Sequence, residues 1–461
     1  MKKNLIIIGA GVAGKIVAND IIFNKNISSK YNLCGFLDDD ENKKILLEKP
    51  VFGKISLAKE IIDKYNIEEV IIAIPSANKE QIDKIISVLE SEKINIKIVP
   101  GIYEIINGNF TFNQVRKINP IDLLGREEVG FDIDIIAPFY EGKNIFITGA
   151  GGSIGSEIVN ELFKLPVGRI IAFGHGENSI HSLICKYNDK RFSYIIGDIR
   201  DYEKLNYEIK KFDVDIIFHA AAHKHVPLME EYPDEAIKNN VFGSINVAKA
   251  AINNKIKDFI FVSTDKAVEP TSVMGASKRL SELLLLSFNE NQNKTRFRVT
   301  RFGNVLGSRG SVIPLFEEQI KRGGPITVTH KDMVRYFMSI GEASRLVIKS
   351  PCVENGNLFV LDMGNPINIY EFAKKMIKLQ GYNEDEIPII ITGIRPGEKL
   401  YEKPLSKSEN LIKTKFDKLW VSNIKETPLQ VDNVIDEFQK TINEFGDIRE
   451  LLRKYVIDYV N

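Results

Sequence analysis

The residues best suited to chemistry in this 461-residue chain lie close together: Thr264-Asp265-Lys266 and, a few positions on, Met274 and Lys278. An acid beside an amine offers the two opposite protonation states that general acid–base work needs. A helix is predicted over 273–288, and four-residue spacing puts Met274 and Lys278 on one face of it, so a second amine joins the group. The run Asp-Phe-Ile-Phe-Val at 258–262 reads as a buried strand that delivers Ser263 to Lys266 at its carboxyl end, where ligands sit in doubly wound sheets. The competing account is a solvated surface ion pair.

A strand tip does chemistry only if its neighbours build a cleft around it, and the preceding segments have that pattern. Asn144–Thr148 reads as a strand, and T-G-x-x-G-x-x-G at 148–155 leads into a helix over Ser156–Phe163. Gly149, Gly152, Ser153, Ile154 and Gly155 are therefore expected to hold a pyrophosphate on backbone N–H groups and the helix dipole. The next strand, Arg169–Phe173, has no aspartate at its tip, which leaves Glu177 or Asn178 to meet a ribose. Tyr194–Ile196 leads to Asp198 and Ile199, suited to the edge and face of an adenine. Asp215–Phe218 opens into 219–227, where Ala220 and Ala221 permit close contact with a flat cofactor. His219, His223 and His225 invite a metal, but Lys224 would set a cation beside it and no cysteine is near, so none is expected. A helix over Asn239–Ala251 precedes the central strand. Another strand, Arg298–Phe302, leads to the polar loop 303–308, where Asn304 can face a substrate. Arg335 and Arg395 stand in apolar or turn-forming settings; their guanidinium forks suit a diphosphate, with structural salt bridges as the alternative. The end, 431–460, is amphipathic helix suited to packing.

The amino-terminal part repeats the opening. Leu5–Ile8 reads as a strand, Gly9 to Gly14 gives G-x-G-x-x-G entering a helix over Lys15–Phe23, and strand Asn32–Leu37 ends on Asp38. Strands at Val70–Ile74 and Ile96–Val99 with a helix near 81–91 continue the βαβ rhythm, which suits a nucleotide-type fold, bound or degenerate. Periodicity is lost over 103–142, including Ile121-Asp122-Leu123-Leu124-Gly125-Arg126, so this reads as a connector. The expected class is α/β, with two Rossmann-like doubly wound parallel-sheet domains at 1–102 and 143–461, the second carrying a smaller C-terminal substrate-binding subdomain. Length alone favours two domains. Lys+Arg and Asp+Glu both total 62, which argues against nucleic acid or an acidic membrane surface as partner. Three scattered cysteines suit a reducing compartment, the cytoplasm. The apolar run after Lys2-Lys3 is too short for a signal peptide, and no window suits a membrane span.

These motifs together resemble the extended short-chain dehydrogenases that act on nucleotide sugars. More narrowly, residues from about 122 to 415 resemble the polysaccharide-biosynthesis type of UDP-N-acetylglucosamine 4,6-dehydratase, through Thr148–Gly155, His219–Pro227, Ser263–Val268, Arg301–Val305, Val334–Met338 and Arg395-Pro396-Gly397-Glu398-Lys399. Residues 1–102 resemble the CoA-binding-type domain that precedes the catalytic domain in large members. Those members usually carry transmembrane helices ahead of it, so the expected place is the cytoplasm, at the inner face of the membrane only where such helices precede the domain. The resemblance implies NAD as cofactor, a UDP-sugar as substrate and a homo-oligomer. It implies Lys266 as the base at C5, Asp265 as the acid for the departing C6 hydroxyl and Lys278 on the nicotinamide ribose. The family's usual tyrosine is replaced by Met274, which cannot move a proton. Thr264 or Asp265 must then handle the C4 hydroxyl, and the replacement goes with retention at C5. Substrate contacts are expected at His223, Lys224, Asn304, Val312, Thr327, Arg335, Arg395 and Glu398. A neutral Lys266 requires a depressed pKa, expected from burial and neighbouring Lys278. The rival readings are a nucleotide-sugar 4-epimerase or reductase, and a non-catalytic nucleotide-sugar sensor.

Overall fold

The computed structural model describes residues 2–77, 79–89, 94–99, 112, 115–118, 129–292, 294–405, 409–422 and 427–460. The stretch 121–126 and the turn signals at 100–109 and 119–120 lie outside them. The chain packs as two compact units that are not contiguous in sequence: Met1–Gly130 joins Val312–Thr327 and Tyr370–Ile390, and the second unit takes Phe131–Ser311, Val328–Ile369 and Ile391–Asn461.

In the first unit, β1 (Lys3–Ile8), β2 (Tyr31–Leu37), β3 (Glu69–Ile72), β4 (Asn95–Ile98) and β5 (Arg116–Lys117) form one sheet in the order β2-β1-β3-β4-β5. The first four are parallel and β5 is antiparallel. Helix α1 (Val12–Phe23) covers the sheet with Val17, Ala18 and Ile21. It can approach because Gly14 has no side chain; a Cβ there would stand 2.0 Å from the Gly9 carbonyl oxygen. Strand β5 falls inside the segment expected as a connector, and a two-residue strand is too short to carry a period.

The second unit is built on nine strands: β6 (Asn144–Thr148), β7 (Arg169–Gly174), β8 (Phe192–Ile196), β9 (Ile216–His219), β10 (Asp258–Val262), β11 (Arg296–Arg301), β12 (Leu358–Leu361), β13 (Leu411–Lys413) and β14 (Leu419–Ser422). Their order is β8-β7-β6-β9-β10-β11-β12-β14-β13. The first seven run parallel, and β14 is antiparallel to both its neighbours. Strands buried on both faces need continuous apolar runs, and Ile145, Phe146, Ile147, Ile216, Ile217, Phe218, Phe259, Ile260 and Phe261 are fully buried. Strand order reverses beside β6, so a crevice opens at the carboxyl ends of β6 and β9. The helices that matter here are α2 (Ser153–Leu162), α3 (Glu177–Lys186), α4 (Gly243–Asn253) and α5 (Val273–Asn291). The expected terminal helix is two, α6 (Val431–Asn443) and α7 (Ile448–Tyr455), which close the core with Val434, Phe438 and Leu452. Among the described residues no helix is long and apolar enough to cross a membrane.

Candidate functional site

The glycine motif forms a cradle at the tip of β6. Gly149 has φ +64°, and a Cβ on it would press within 2.7 Å of the Ala221 backbone; one on Gly155 would stand 2.2 Å from the Gly149 carbonyl oxygen. The glycines thus bring α2 and the loop after β9 against one turn. A cavity of about 240 Å³ lies over this turn, lined by Gly149, Gly152, Ile199, Ala220, Ala221, His223 and Arg309 among others. Its alanine floor and glycine wall fit a flat dinucleotide, with the amino end of α2 available to its phosphates.

His219 ends β9 with both ring nitrogens engaged, Nδ1 2.6 Å from Thr148 Oγ1 and Nε2 2.8 Å from Ser244 Oγ. Complete burial lowers its pKa to about 3, so it is a neutral strut under the cradle. Asn240 pins the same loop: its Oδ1 accepts from the His223 backbone N–H at 2.7 Å, and its Nδ2 donates to the His223 carbonyl and to Ser277 Oγ, both at 3.0 Å.

The acid–amine stretch turns through a short 3₁₀ segment, Asp265–Ala267, at the tip of β10. Gly275 lets α5 lie directly on it, since a Cβ there would stand 2.3 Å from the Lys266 carbonyl oxygen. Ser272 caps α5 by accepting from the Gly275 N–H. Asp265 is 1% exposed. Its Oδ1 accepts from Thr264 Oγ1 and Lys266 Nζ, both at 3.0 Å, and its Oδ2 has no hydrogen-bond partner. Lys266 Nζ also donates to Asn304 Oδ1 at 3.0 Å. Lys266, Asn304, Lys224, Arg335, Glu398, Lys399 and Glu402 line a second cavity of about 200 Å³, with Asp265 buried behind Lys266. A hydrogen bond links the two linings, the Lys224 amine of the second donating to the Arg309 carbonyl of the first at 2.6 Å.

The state expected of Lys266 is reversed, and the lowered amine is Lys278 instead. Burial alone would lower the Lys266 pKa, but Asp265 and Glu402 outweigh it and, against Arg335, raise it above the ordinary 10.5. Lys266 therefore rests as an ammonium, and Lys278 is not among the charges acting on it. Lys278 is the depressed amine: burial lowers it to about 7, opposed by Glu282. It donates to the Val262 carbonyl at 2.7 Å and lies 3.7 Å over the Phe261 ring. Beneath it, Glu282 is buried in a cluster with Arg301, Arg279 and the Ser263 hydroxyl.

Of the other expected residues, Met274 is buried in the core at 3% exposure. Ser153 accepts from the Arg309 backbone N–H at 3.2 Å, and Ile154 follows it in α2. Glu177 and Asn178 begin α3 but do not line the cradle cavity; His175 and Ser179 do. Asp198 is held by Arg200 at 2.7 Å, which lowers its pKa, and its neighbours Gly197 and Ile199 line the cavity while Asp198 itself does not. Arg395 is exposed and lines neither cavity, whereas Arg335 and Glu398 line the second. Val312 and Thr327 pack with the first unit, where the Thr327 hydroxyl accepts from Gln319 at 2.8 Å. Arg309, Asn240 and Glu402 escaped notice in the sequence; only the Arg-Pro-Gly-Glu-Lys turn just before Glu402 hinted at one of them.

Residues 145–424 match a family described as polysaccharide biosynthesis protein, and residues 1–100 match a CoA-binding domain. The chain is 41% identical over 453 residues to the capsular polysaccharide biosynthesis protein CapD of Staphylococcus aureus, covering 95% of this chain and 75% of that protein. It is 43% identical over 453 residues to the probable polysaccharide biosynthesis protein EpsC of Bacillus subtilis, covering 96% and 74%. Among solved structures, Pen from Bacillus thuringiensis is similar at 32% identity and a TM-score of 0.57, over 66% of this chain and 98% of that one.

Proposed function

The chain belongs to the polysaccharide biosynthesis protein family, of the extended short-chain dehydrogenase type, and we propose that it is a nucleotide-sugar dehydratase converting UDP-N-acetylglucosamine to its 4-keto-6-deoxy derivative with retention at C5. The observation that carries this reading is the Asp265–Lys266 pair, 3.0 Å apart, the carboxylate buried with one oxygen unpartnered and the amine on a cavity wall. An epimerase or reductase has no use for a carbon base beside that acid. NAD is the dinucleotide in this reading, held by the Gly149–Gly155 turn over Ala220 and Ala221, with the Lys278 amine for its nicotinamide ribose. When bound it supplies the two-electron exchange, accepting the C4 hydrogen with its electron pair and returning it to C6.

The chain's own residues manage the protons. Thr264 is partly exposed and hydrogen-bonded to Asp265, so the C4 hydroxyl proton passes through its Oγ1 to the carboxylate. Met274 sits where a phenol would otherwise do this. The C4 carbonyl acidifies the C5 hydrogen, which Lys266 removes as a free amine, while Asp265 passes its proton to the departing C6 hydroxyl. Lys266 then returns a proton to C5 from the side on which it removed one, which is retention. Arg335 and Lys224, both on the cavity wall, are the cations available to the substrate diphosphate.

Mass spectrometry after incubation with UDP-N-acetylglucosamine in deuterated water tests this. The expected product has lost one water without added cofactor and carries deuterium at C5. A C4 epimer, or a product without C5 deuterium, rejects the dehydratase reading.

A further inference from the structure

Asp265 is committed to the proton that moves from the C4 hydroxyl to the C6 hydroxyl, yet Lys266 starts as an ammonium and must lose a proton before it can act on C5. A second acceptor beside Lys266 is required. Glu402 is 7% exposed, with no hydrogen-bond partner at Oε2. Its Oε1 stands 3.8 Å from Lys266 Nζ, its Oε2 stands 3.8 Å from Lys399 Nζ, and it lines the same cavity. Rotation of the flexible lysine stem closes such a distance. A buried carboxylate oxygen left without a hydrogen bond costs free energy, which suits a group that gains a proton during turnover.

We propose that Glu402 is the proton store for Lys266, a positioning residue that acts through the lysine and takes no part at the sugar. The inference rests on the dehydratase reading. At rest Lys266 is an ammonium, with Asp265 and Glu402 both carboxylates. The C4 hydroxyl proton goes to Asp265 as C4 is oxidised, and Lys266 hands one proton to Glu402. The amine takes the C5 proton as the C5–H and C6–O bonds break, and Asp265 gives its proton to the leaving hydroxyl, which departs as water. As C6 is reduced, Lys266 returns a proton to C5 and recovers its own from Glu402. Every group ends in its starting state and the sugar has lost one water. The other charged groups facing the pair are Asp265, Arg335 and Lys399, with Lys224, His225 and Glu398 on the same wall and Glu269 acting on Lys399. Lys399 is tied to the Val268 carbonyl at 2.7 Å, and of these acids Asp265 is already occupied by the C4 proton.

The test is Glu402→Gln in the full chain, followed over about pH 6 to 10. C5 deuterium incorporation and product formation should fall about a hundredfold at neutral pH, while single-turnover reduction of the bound cofactor by C4 oxidation persists. The loss should recover toward alkaline pH, where Lys266 sheds its proton to solvent, and Glu402→Asp should restore part of it. Wild-type exchange in the Gln variant, or a pH profile merely moved to lower pH, overturns the proposal, because a carboxylate that only keeps Lys266 charged would do that. Loss of C4 oxidation together with C5 exchange also overturns it, by making the role structural. Reductive methylation of Lys266 against pH, read by mass spectrometry on the ligand-free protein, should show a lower midpoint in the Gln variant, and an unchanged midpoint rejects the contact. If the wild type itself shows no C5 exchange, the dehydratase reading fails, and with it the proton store.

Discussion

Replacing Lys278 by methionine should make the second unit more stable in acid than the wild type, although it removes a hydrogen bond. Lowering this amine from 10.5 to about 7 corresponds to at most about 5 kcal/mol, at about 1.4 kcal/mol per pH unit. Between those two values the unfolded chain binds the proton and the folded chain does not, so wild-type stability rises with pH across that window; below pH 7 the full penalty is present. The Lys278→Met variant carries no such penalty but loses the 2.7 Å bond to the Val262 carbonyl, worth about 1 kcal/mol for a neutral amine. It should therefore lead by about 4 kcal/mol at pH 6 and by about 1 kcal/mol at pH 9. His219 stays neutral in the folded protein over this range and protonates alike in both unfolded chains, so it cancels from the difference. The assay is urea unfolding followed by tryptophan fluorescence: the single tryptophan, Trp420, lies in β14 and reports on the second unit. A lead that is absent at pH 6, or that grows with pH, refutes the argument. The wild type tolerates this cost because, in the proposed reading, the amine is needed at the ribose, so the stabilised variant should also be the inactive one.

Lys266→Met should reduce formation of the 4-keto-6-deoxy product about a thousandfold; a normal rate sinks the assignment of the base. Gly155→Ala forces a methyl to 2.2 Å from the Gly149 carbonyl oxygen and should cost about 1–3 kcal/mol or more, with dinucleotide affinity lost in calorimetry; unchanged affinity would mean the cradle is misread. In the first unit the two loop glycines should behave differently. Gly9 has φ +103° and backbone 2.8 Å from a new Cβ, whereas Gly11 has nothing within 4 Å. Hydrogen exchange in α1 should accelerate in Gly9→Ala and stay within about 0.5 kcal/mol of wild type in Gly11→Ala.

Much of the second unit could be read without coordinates because its signals are local. Glycine spacing at 149–155, the apolar run at 258–262 and the pair Asp265–Lys266 each follow from a few consecutive residues. What escaped the reading is non-local. Glu402 reaches Lys266 across more than a hundred residues, from a tail with weak periodicity. Arg309 turns back to the cradle from a loop after β11, its guanidinium 3.0 Å from Ser179 Oγ. Arg335 and Arg395 look alike as residues in unusual settings, and only one lines a cavity. Thr327 sits near other substrate-like residues in sequence but packs elsewhere.

From its sequence alone this chain commits to two doubly wound sheets, a phosphate-binding turn, and an acid and an amine at a strand tip, because backbone periodicity and glycine's freedom act between near neighbours. Charge states are another matter. Which lysine is lowered and which is raised depends on how much water each loses and which carboxylates stand within a few ångströms, and those carboxylates arrive from distant segments. Tertiary packing alone gave Lys278 a burial that one acid, Glu282, does not offset, and gave Lys266 two acids that outweigh its own.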